Sequence, residues 1–397
     1  MKVLICNTLK NQGGAAKASQ RICDCLSKSN IDCKYHYLFE KGMSSKSMIP
    51  KIDAIPKLLC SKDRKIPFSS SIVSFGTSNK IIKKYKPNIL HLNYTNMGLF
   101  SINEIGDSKI PIVWTLHDSW AFTGGCHLPL DCTKFKNYCS NCPALQSKKN
   151  YDLSSFIFSK KLKHWKSTNI TAVCPSKWMF ENAKNSKIFE EKKVVIIPNP
   201  INTNIFKPKN KNEARKLLNL DKNKKYILFG SMNPLTDKNK GFEYLKDALN
   251  LIPQKNTELL IFGTNEKITN FPIPIRSLGY IEDETTLANV YSSADTTVVP
   301  SISENLPYVM IESLSCGTPV IGFKVGGIPE IISKNIFGKL VGEFDIKNLG
   351  ESINETLSTN LGEQVRDEIH KEIEIIYGYK AVSKQYMDLY HSLSLQV

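Results

Sequence analysis

Strand-like apolar runs alternating with helical patterns, in two separate series, constrain this chain more than any other feature of its sequence. The first series has runs at residues 2–7, 88–94, 110–117, 170–174 and 194–198. The second has them at 226–230, 258–263, 296–300 and 319–323. Helical periodicity lies between, for example over 15–29, 242–251 and 308–315. A parallel strand pair needs a crossover long enough to hold a helix, so the alternation predicts parallel sheets covered on both faces. Two series predict two Rossmann-like, doubly wound α/β domains. The length of 397 residues accommodates two domains of about 200 each.

The boundary is legible. Pro198-Asn199-Pro200-Ile201-Asn202-Thr203-Asn204, then Lys207-Pro208-Lys209-Asn210, cannot continue a helix or a central strand. The expected domains are 1–200 and 201–379. A last helix, about Lys380–Leu393, carries an apolar stripe of Val382, Tyr386, Leu389 and Leu393. Residues 380–397 suit packing against either domain. In open parallel sheets ligands bind at the carboxyl ends of the strands, so two facing domains predict a site in the cleft between them.

Charge sharpens the division. The net charge is +16, but residues 1–200 hold 31 Lys and Arg against 13 Asp and Glu, while residues 201–397 hold 22 against 24. The basic half points to an anionic neighbour: nucleic acid, a membrane surface or a phosphorylated substrate. A solvated basic face is the plainer alternative. The composition, 41% hydrophobic and 23% charged, is ordinary for a globular chain and excludes disorder or coiled coil as a global description. No segment has the length and apolarity of a membrane span. The run Val3–Cys6 is too short for the core of a signal peptide. A cytoplasmic protein is expected, its 11 cysteines reduced or metal-bound.

The sharpest chemical signal is the segment Pro300 to Glu312. Glu304 falls in a loop after a strand, and Glu312 about one turn into the next helix. Carboxylates accept hydrogen bonds from hydroxyls, and the intervening helix N-terminus offers N–H groups to a phosphate. Sugar hydroxyls plus a diphosphate suit that arrangement. A capping carboxylate and a surface Glu is the bland reading.

The wider context favours the first. Glu304 through Phe323, followed by Val325-Gly326-Gly327-Ile328-Pro329-Glu330, resembles the nucleotide-sugar site of retaining GT-B glycosyltransferases of family four. Pro175-Ser176-Lys177-Trp178-Met179, Ile197-Pro198-Asn199-Pro200-Ile201 and Phe206-Lys207-Pro208 resemble its interdomain region. Pro87-Asn88-Ile89-Leu90-His91-Leu92 and Thr115-Leu116-His117-Asp118 resemble its N-terminal domain. The resemblance covers nearly the whole chain and implies two Rossmann-like domains facing across a cleft.

It also implies roles. Glu304 would lie beside the donor sugar with Asn305 and Leu306, and Glu312 would hydrogen-bond the ribose. Lys240, helped by Lys238, would neutralise the donor diphosphate. His117 would stand near the transferring sugar, and Gly13 and Gly14 would allow close backbone approach to a phosphate. On their own, the two glycines read as an ordinary tight turn. Two departures stand out. Ser231 occupies a position where many members carry Arg, and Lys238 lacks the bidentate fork of an Arg. Glu304-Asn305-Leu306-Pro307 replaces the commoner Glu-Gly-Phe-Gly, and Pro307 has no N–H. The variant is similar to a subgroup typified by colanic-acid and other exopolysaccharide glycosyltransferases.

A second segment supports that subgroup. His117-Asp118-Ser119-Trp120-Ala121-Phe122-Thr123-Gly124-Gly125-Cys126-His127 leads into Cys132, Cys139 and Cys142. Four cysteines within 126–142, ending in Cys-x-x-Cys, are a candidate structural zinc site; a metal-free reduced loop is the alternative. Cys6, Cys174 and Cys316 read as core thiols, and His91 as a satisfied core histidine. In 156–166, Phe158, Leu162 and Trp165 form a stripe flanked by Lys160, Lys161, Lys163 and Lys166. A core-facing stripe with solvated lysines is expected over a membrane-lying helix.

The expected function is retaining transfer of a sugar from a nucleotide-diphospho-sugar donor to a saccharide or lipid-linked saccharide acceptor in bacterial surface polysaccharide synthesis. No catalytic cofactor and no nucleic acid are expected, and the basic domain would contact the inner face of an anionic membrane. A nucleotide-sugar epimerase on the same fold, or a nucleic-acid-binding protein, is the alternative.

Overall fold

The structure, a computed structural model, describes every residue except 41–42, 44–46, 61–66, 254–255 and 395–397. The chain divides into two units, Met1–Pro200 with Val382–Val397, and Ile201–Ala381. Each unit is built on its own parallel sheet.

The first unit contains β1 (Lys2–Leu9), α1 (Gly14–Lys28), β2 (Asp32–Phe39), α2 (Met48–Cys60) and α3 (Thr77–Tyr85). It continues with β3 (Ile89–Leu92), α4 (Ile102–Gly106), β4 (Ile112–Thr115), α5 (Leu153–Trp165), β5 (Ile170–Cys174), α6 (Lys177–Lys184) and β6 (Lys193–Ile196). The strand order is β2-β1-β3-β4-β5-β6, all parallel. β3, β4 and β5 are buried at every position, because helices cover both faces.

The second unit repeats the plan with β7 (Lys225–Gly230), β8 (Thr257–Phe262), β9 (Ile275–Ser277), β10 (Thr296–Val299), β11 (Val320–Phe323) and β12 (Gly338–Val341). Between and after them lie α7 (Lys211–Leu217), α8 (Phe242–Asn250), α9 (Glu284–Ser293), α10 (Tyr308–Ser315), α11 (Ile328–Ile331), α12 (Ile346–Ser358) and α13 (Glu363–Tyr377). The order β12-β11-β10-β7-β8-β9 is the doubly wound arrangement of dinucleotide-binding sheets. A separate core of strand residues such as Ile227, Leu260, Val298 and Ile321 fills it. In each sheet the order reverses beside the first strand, between β1 and β3 and between β7 and β10.

The last helix, α14 (Tyr379–Ser394), belongs to the first unit from Val382 onward. Its attachment is polar as well as apolar. Tyr390 and Thr115 flank the His91 imidazole, with Nδ1 2.6 Å from the Tyr390 hydroxyl and Nε2 2.7 Å from Thr115 Oγ1. Tyr386 reaches the same Thr115 hydroxyl at 3.0 Å. All four side chains are buried, so His91 is the satisfied core histidine the sequence suggests.

Three strands escape the sequence reading: β2, β9 and β12. All are edge strands, and edge positions carry polar residues such as Lys34, Arg276 and Lys339 that break the apolar run. The stripe of α5 turns inward, with Phe158 and Trp165 buried. The expectation of solvated lysines fails at Lys161, which is buried. Its ammonium donates to the carbonyls of Trp120 and Thr123 and stands 3.5 Å from the Trp120 ring centroid. Those partners replace water around the charge. Burial pushes its pKa down to about 7, against the opposing pull of Cys139, Cys126 and Asp118. Among the described residues, no helix is long and apolar enough to cross a membrane.

Candidate active site

In the second unit, the loops after β7 and β10 meet at the point where the strand order reverses. Such crevices receive ligands in open α/β sheets. Asn239 joins the loops: its amide donates to the Ser303 carbonyl at 2.9 Å and its Oδ1 accepts from the Ser303 N–H at 3.1 Å. The Ile302 N–H donates to the Asn239 carbonyl at 2.9 Å. Next to this clamp, Lys240 Nζ stands 2.7 Å from Glu304 Oε1, both side chains half-buried or less exposed. Burial alone would lower the Lys240 pKa, but the charge and hydrogen bond of Glu304 outweigh it and raise it.

Glycines let these loops approach. A Cβ on Gly241, at φ +72°, would lie 1.8 Å from the Pro300 carbonyl oxygen. A Cβ on Gly326, at φ +55°, would lie 1.8 Å from the Glu304 carbonyl oxygen, and the Gly327 N–H donates to that same oxygen at 2.9 Å. The Gly326-Gly327 pair thus holds the Glu304 loop from behind.

The other expected donor residues divide. Glu312 is buried, and its Oε2 accepts from the Tyr291 hydroxyl at 2.7 Å. Lys238 is exposed on the short 3-10 turn Lys238–Lys240. Asn305 follows Glu304 in the loop, whereas the Leu306 side chain packs in the core. Pro307 caps α10 and has no N–H, so the backbone N–H groups of that helix begin at Tyr308.

In the first unit, Gly13 begins α1 at φ 88°, a conformation that favours glycine, while a Cβ on Gly14 would meet nothing within 4 Å. His117, after β4, has Nε2 2.8 Å from Asn93 Oδ1, after β3. That contact fixes the tautomer with hydrogen on Nε2. Burial pushes the His117 pKa down to about 4, against the charge of Asp118, so the ring is neutral at pH 7.

The four cysteines of 126–142 make separate contacts, although Cys126 lies near enough to Cys132 and Cys142, and Cys139 to Cys126 and Cys132, for their charges to interact. Cys126 and Cys142 pack with Ala144 and Leu145, Cys139 Sγ accepts from the Gly124 N–H at 3.2 Å, and Cys132 is half-exposed. Among the described residues, no group of three or more His, Cys, Asp or Glu is placed to hold a metal ion. Burial raises the Cys126 and Cys139 thiols to about 12, which keeps them protonated. Cys6, Cys174 and Cys316 are buried, as their apolar surroundings predict.

Sequence reasoning passed over Asn239, Tyr291, Asn93 and His127. Asn239 sits between Lys238 and Lys240, both named from the sequence, so its position was available. Tyr291 meets Glu312 from α9, and nothing in its local sequence announces that contact.

Two family models match the chain: Glycosyltransferase Family 4 over residues 12–205 and Glycosyl transferases group 1 over residues 210–373. A D-inositol 3-phosphate glycosyltransferase of Segniliparus rotundus is 32% identical over 167 residues, 38% of this chain and 36% of that protein. An uncharacterized glycosyltransferase of Methanocaldococcus jannaschii is 28% identical over 215 residues, 50% of this chain and 54% of that protein. These curated relatives are therefore matched over about a third to a half of their own length. In fold, a sucrose-phosphate synthase from Thermosynechococcus elongatus superposes with a TM-score of 0.71 at 17% identity, covering 100% of both chains. Anabaena HepE in complex with UDP-glucose gives 0.65 at 13% identity, covering 99% of this chain and 100% of that one. With one such model on each unit and two parallel doubly wound sheets, the chain belongs to the family-four glycosyltransferases of the GT-B fold.

Proposed function

We propose that the protein transfers a sugar from a nucleoside-diphosphate donor to a saccharide hydroxyl, with retention of anomeric configuration. The observation that carries this reading is the Lys240–Glu304 pair at the carboxyl ends of β7 and β10, where the sheet order reverses. The Lys240 ammonium has three N–H donors. One holds Glu304, and the others are available to a diphosphate whose charge grows as the glycosidic bond breaks. Glu304 then lies beside the donor sugar, and Glu312 beside the ribose. Lys238, exposed on the same turn, adds a second cation. The HepE complex with UDP-glucose supports a nucleotide-sugar donor.

The acceptor in this reading is a lipid-linked saccharide in bacterial surface polysaccharide synthesis, met at an anionic membrane. Two features support that location. Residues 1–200 carry the whole basic excess. Helix α2 is also inverted: Met48, Ile52 and Ile55 are 72%, 39% and 46% exposed, while Asp53 is buried against Ser70. An outward apolar face beside basic residues suits an anionic bilayer. Thermal shift with UDP-, GDP- and ADP-sugars tests the donor site. At least one is expected to raise the melting temperature, and no shift with any of them contradicts the reading.

A further inference from the structure

A cavity of about 660 Å³ lies in the first unit, lined by Lys57 of α2 and by Phe68, Ser69, Tyr94, Asp118 and His127 among others. Three of these groups form a relay. Asp118 Oδ2 lies 2.8 Å from His127 Nδ1, so the carboxylate accepts from Nδ1–H. The other ring nitrogen, Nε2, lies 2.8 Å from Ser69 Oγ and accepts its hydrogen. The Tyr94 hydroxyl also lies within hydrogen-bonding reach of the Ser69 side chain, and the Ser69 oxygen, with two lone pairs, can still accept from a further donor. Asp118 is itself fixed, because its Oδ1 accepts from the Trp120 N–H at 2.8 Å.

Backbone pairing places the relay. Phe68 bridges Cys126 antiparallel, the Ser69 N–H donates to the Gly125 carbonyl at 2.9 Å, and the His127 N–H donates to the Pro67 carbonyl at 3.0 Å. Gly125, at φ +126°, leaves the room that the Phe68 ring fills, since a Cβ there would come within 2.5 Å of it. The Tyr94 ring stands 5.6 Å from the His127 ring. Phe68 and Tyr94 thus give the cavity flat apolar walls, and the relay gives it a fixed polar edge, the combination that holds a sugar ring.

We infer that this cavity is a saccharide subsite in which Ser69, oriented by the His127–Asp118 pair, reads a sugar hydroxyl. The inference rests on the glycosyltransferase reading above and specifies where that enzyme holds a sugar of its acceptor. A hydroxyl, a base and an orienting carboxylate in this order also resemble a nucleophilic serine centre. Acyl transfer needs N–H donors aimed at an oxyanion, and the Ser69 N–H is engaged by Gly125. The relay therefore positions a hydrogen-bonding oxygen.

The test uses the full chain and saturation-transfer NMR with p-nitrophenyl glucoside, galactoside, mannoside and N-acetylglucosaminide. At least one glycoside is expected to bind. Ser69→Ala is expected to weaken it about tenfold, the effect of one hydrogen bond, and Ser69→Thr to recover most of that loss. Binding by none of the four overturns the inference, as does equal binding by wild type and Ser69→Ala. An equal loss in Ser69→Thr marks a packing role and overturns it too. So does covalent labelling of Ser69 by a fluorophosphonate, which marks a nucleophile. Thermal shift by nucleotide sugars on the same preparation separates the two readings. A shift without glycoside binding condemns only the subsite, and no shift condemns the donor site on which it rests.

Discussion

The carbonyl oxygen of Glu304 occupies the space that a Cβ on Gly326 would need, 1.8 Å away, and it accepts the N–H of Gly327. The loop that presents Glu304 is therefore shaped by a residue 22 positions downstream. Gly326→Ala meets both the clash and a left-handed φ of +55°. A loss of about 1–3 kcal/mol is expected from such a site. Chemical denaturation should show it as a lower midpoint, together with weaker binding of the donor. An unchanged midpoint would mean that the loop relaxes freely.

Tyr291 and Glu312 make a second linked pair, with the hydroxyl donating to a buried carboxylate oxygen at 2.7 Å. Tyr291→Phe removes one donor from that carboxylate and should cost about 1–3 kcal/mol. Glu312→Ala removes the proposed ribose acceptor as well. It is expected to raise the KM for the nucleotide sugar more than Tyr291→Phe does. Equal donor KM values in wild type and Glu312→Ala would remove the ribose role.

Acid should weaken the first unit through two desolvated imidazoles, the buried His91 and the half-buried His36. Burial depresses the pKa of His91 from 6.5 to about 3, and that of His36 from 6.5 to about 4. An unfolded imidazole takes up its proton below about pH 6.5, while the folded one resists until about pH 3–4. Stability is thus complete above pH 6.5 and falls as the pH drops through that window. A melting-temperature profile from pH 7.5 to 3.5 should decline, and His91→Gln should decline less steeply. Parallel profiles would show that His91 carries none of the effect.

Much of this was legible in the sequence, and the parts that were not share a physical cause. Central strands announce themselves because both faces are buried, as in Ile170–Cys174, where every residue is buried. Edge strand β2 mixes Asp32, Lys34 and His36 into its run and so leaves no continuous apolar signal. Glu304, Glu312 and Lys240 stand in local motifs. The partners that position them do not: Asn239 acts across 64 residues and Tyr291 across 21. The Ser69–His127 contact spans 58 residues and depends on a pairing between two irregular segments. Lys161 was expected in solvent because lysine usually is. Backbone carbonyls and the Trp120 ring, all supplied by tertiary structure, decide otherwise.

The outward face of α2 predicts a membrane effect. Anionic vesicles should carry the protein down in a sedimentation assay, and salt should release it. The pair Ile52→Ser and Ile55→Ser removes apolar surface from an exposed face, 39% and 46% accessible, so folding should be preserved while vesicle binding falls. Undiminished binding by that double variant would place the contact elsewhere, and no binding by wild type would remove the membrane from the account.

The most direct test of the central claim is nucleoside diphosphate release from the preferred nucleotide sugar, in wild type and Lys240→Ala side by side. The account predicts release by wild type with a sugar transferred in the donor's anomeric configuration. It predicts a fall of about a hundredfold or more in kcat/KM for Lys240→Ala, as expected when a cation facing developing charge is removed. No release from any UDP-, GDP- or ADP-sugar, or full activity in Lys240→Ala, would contradict it.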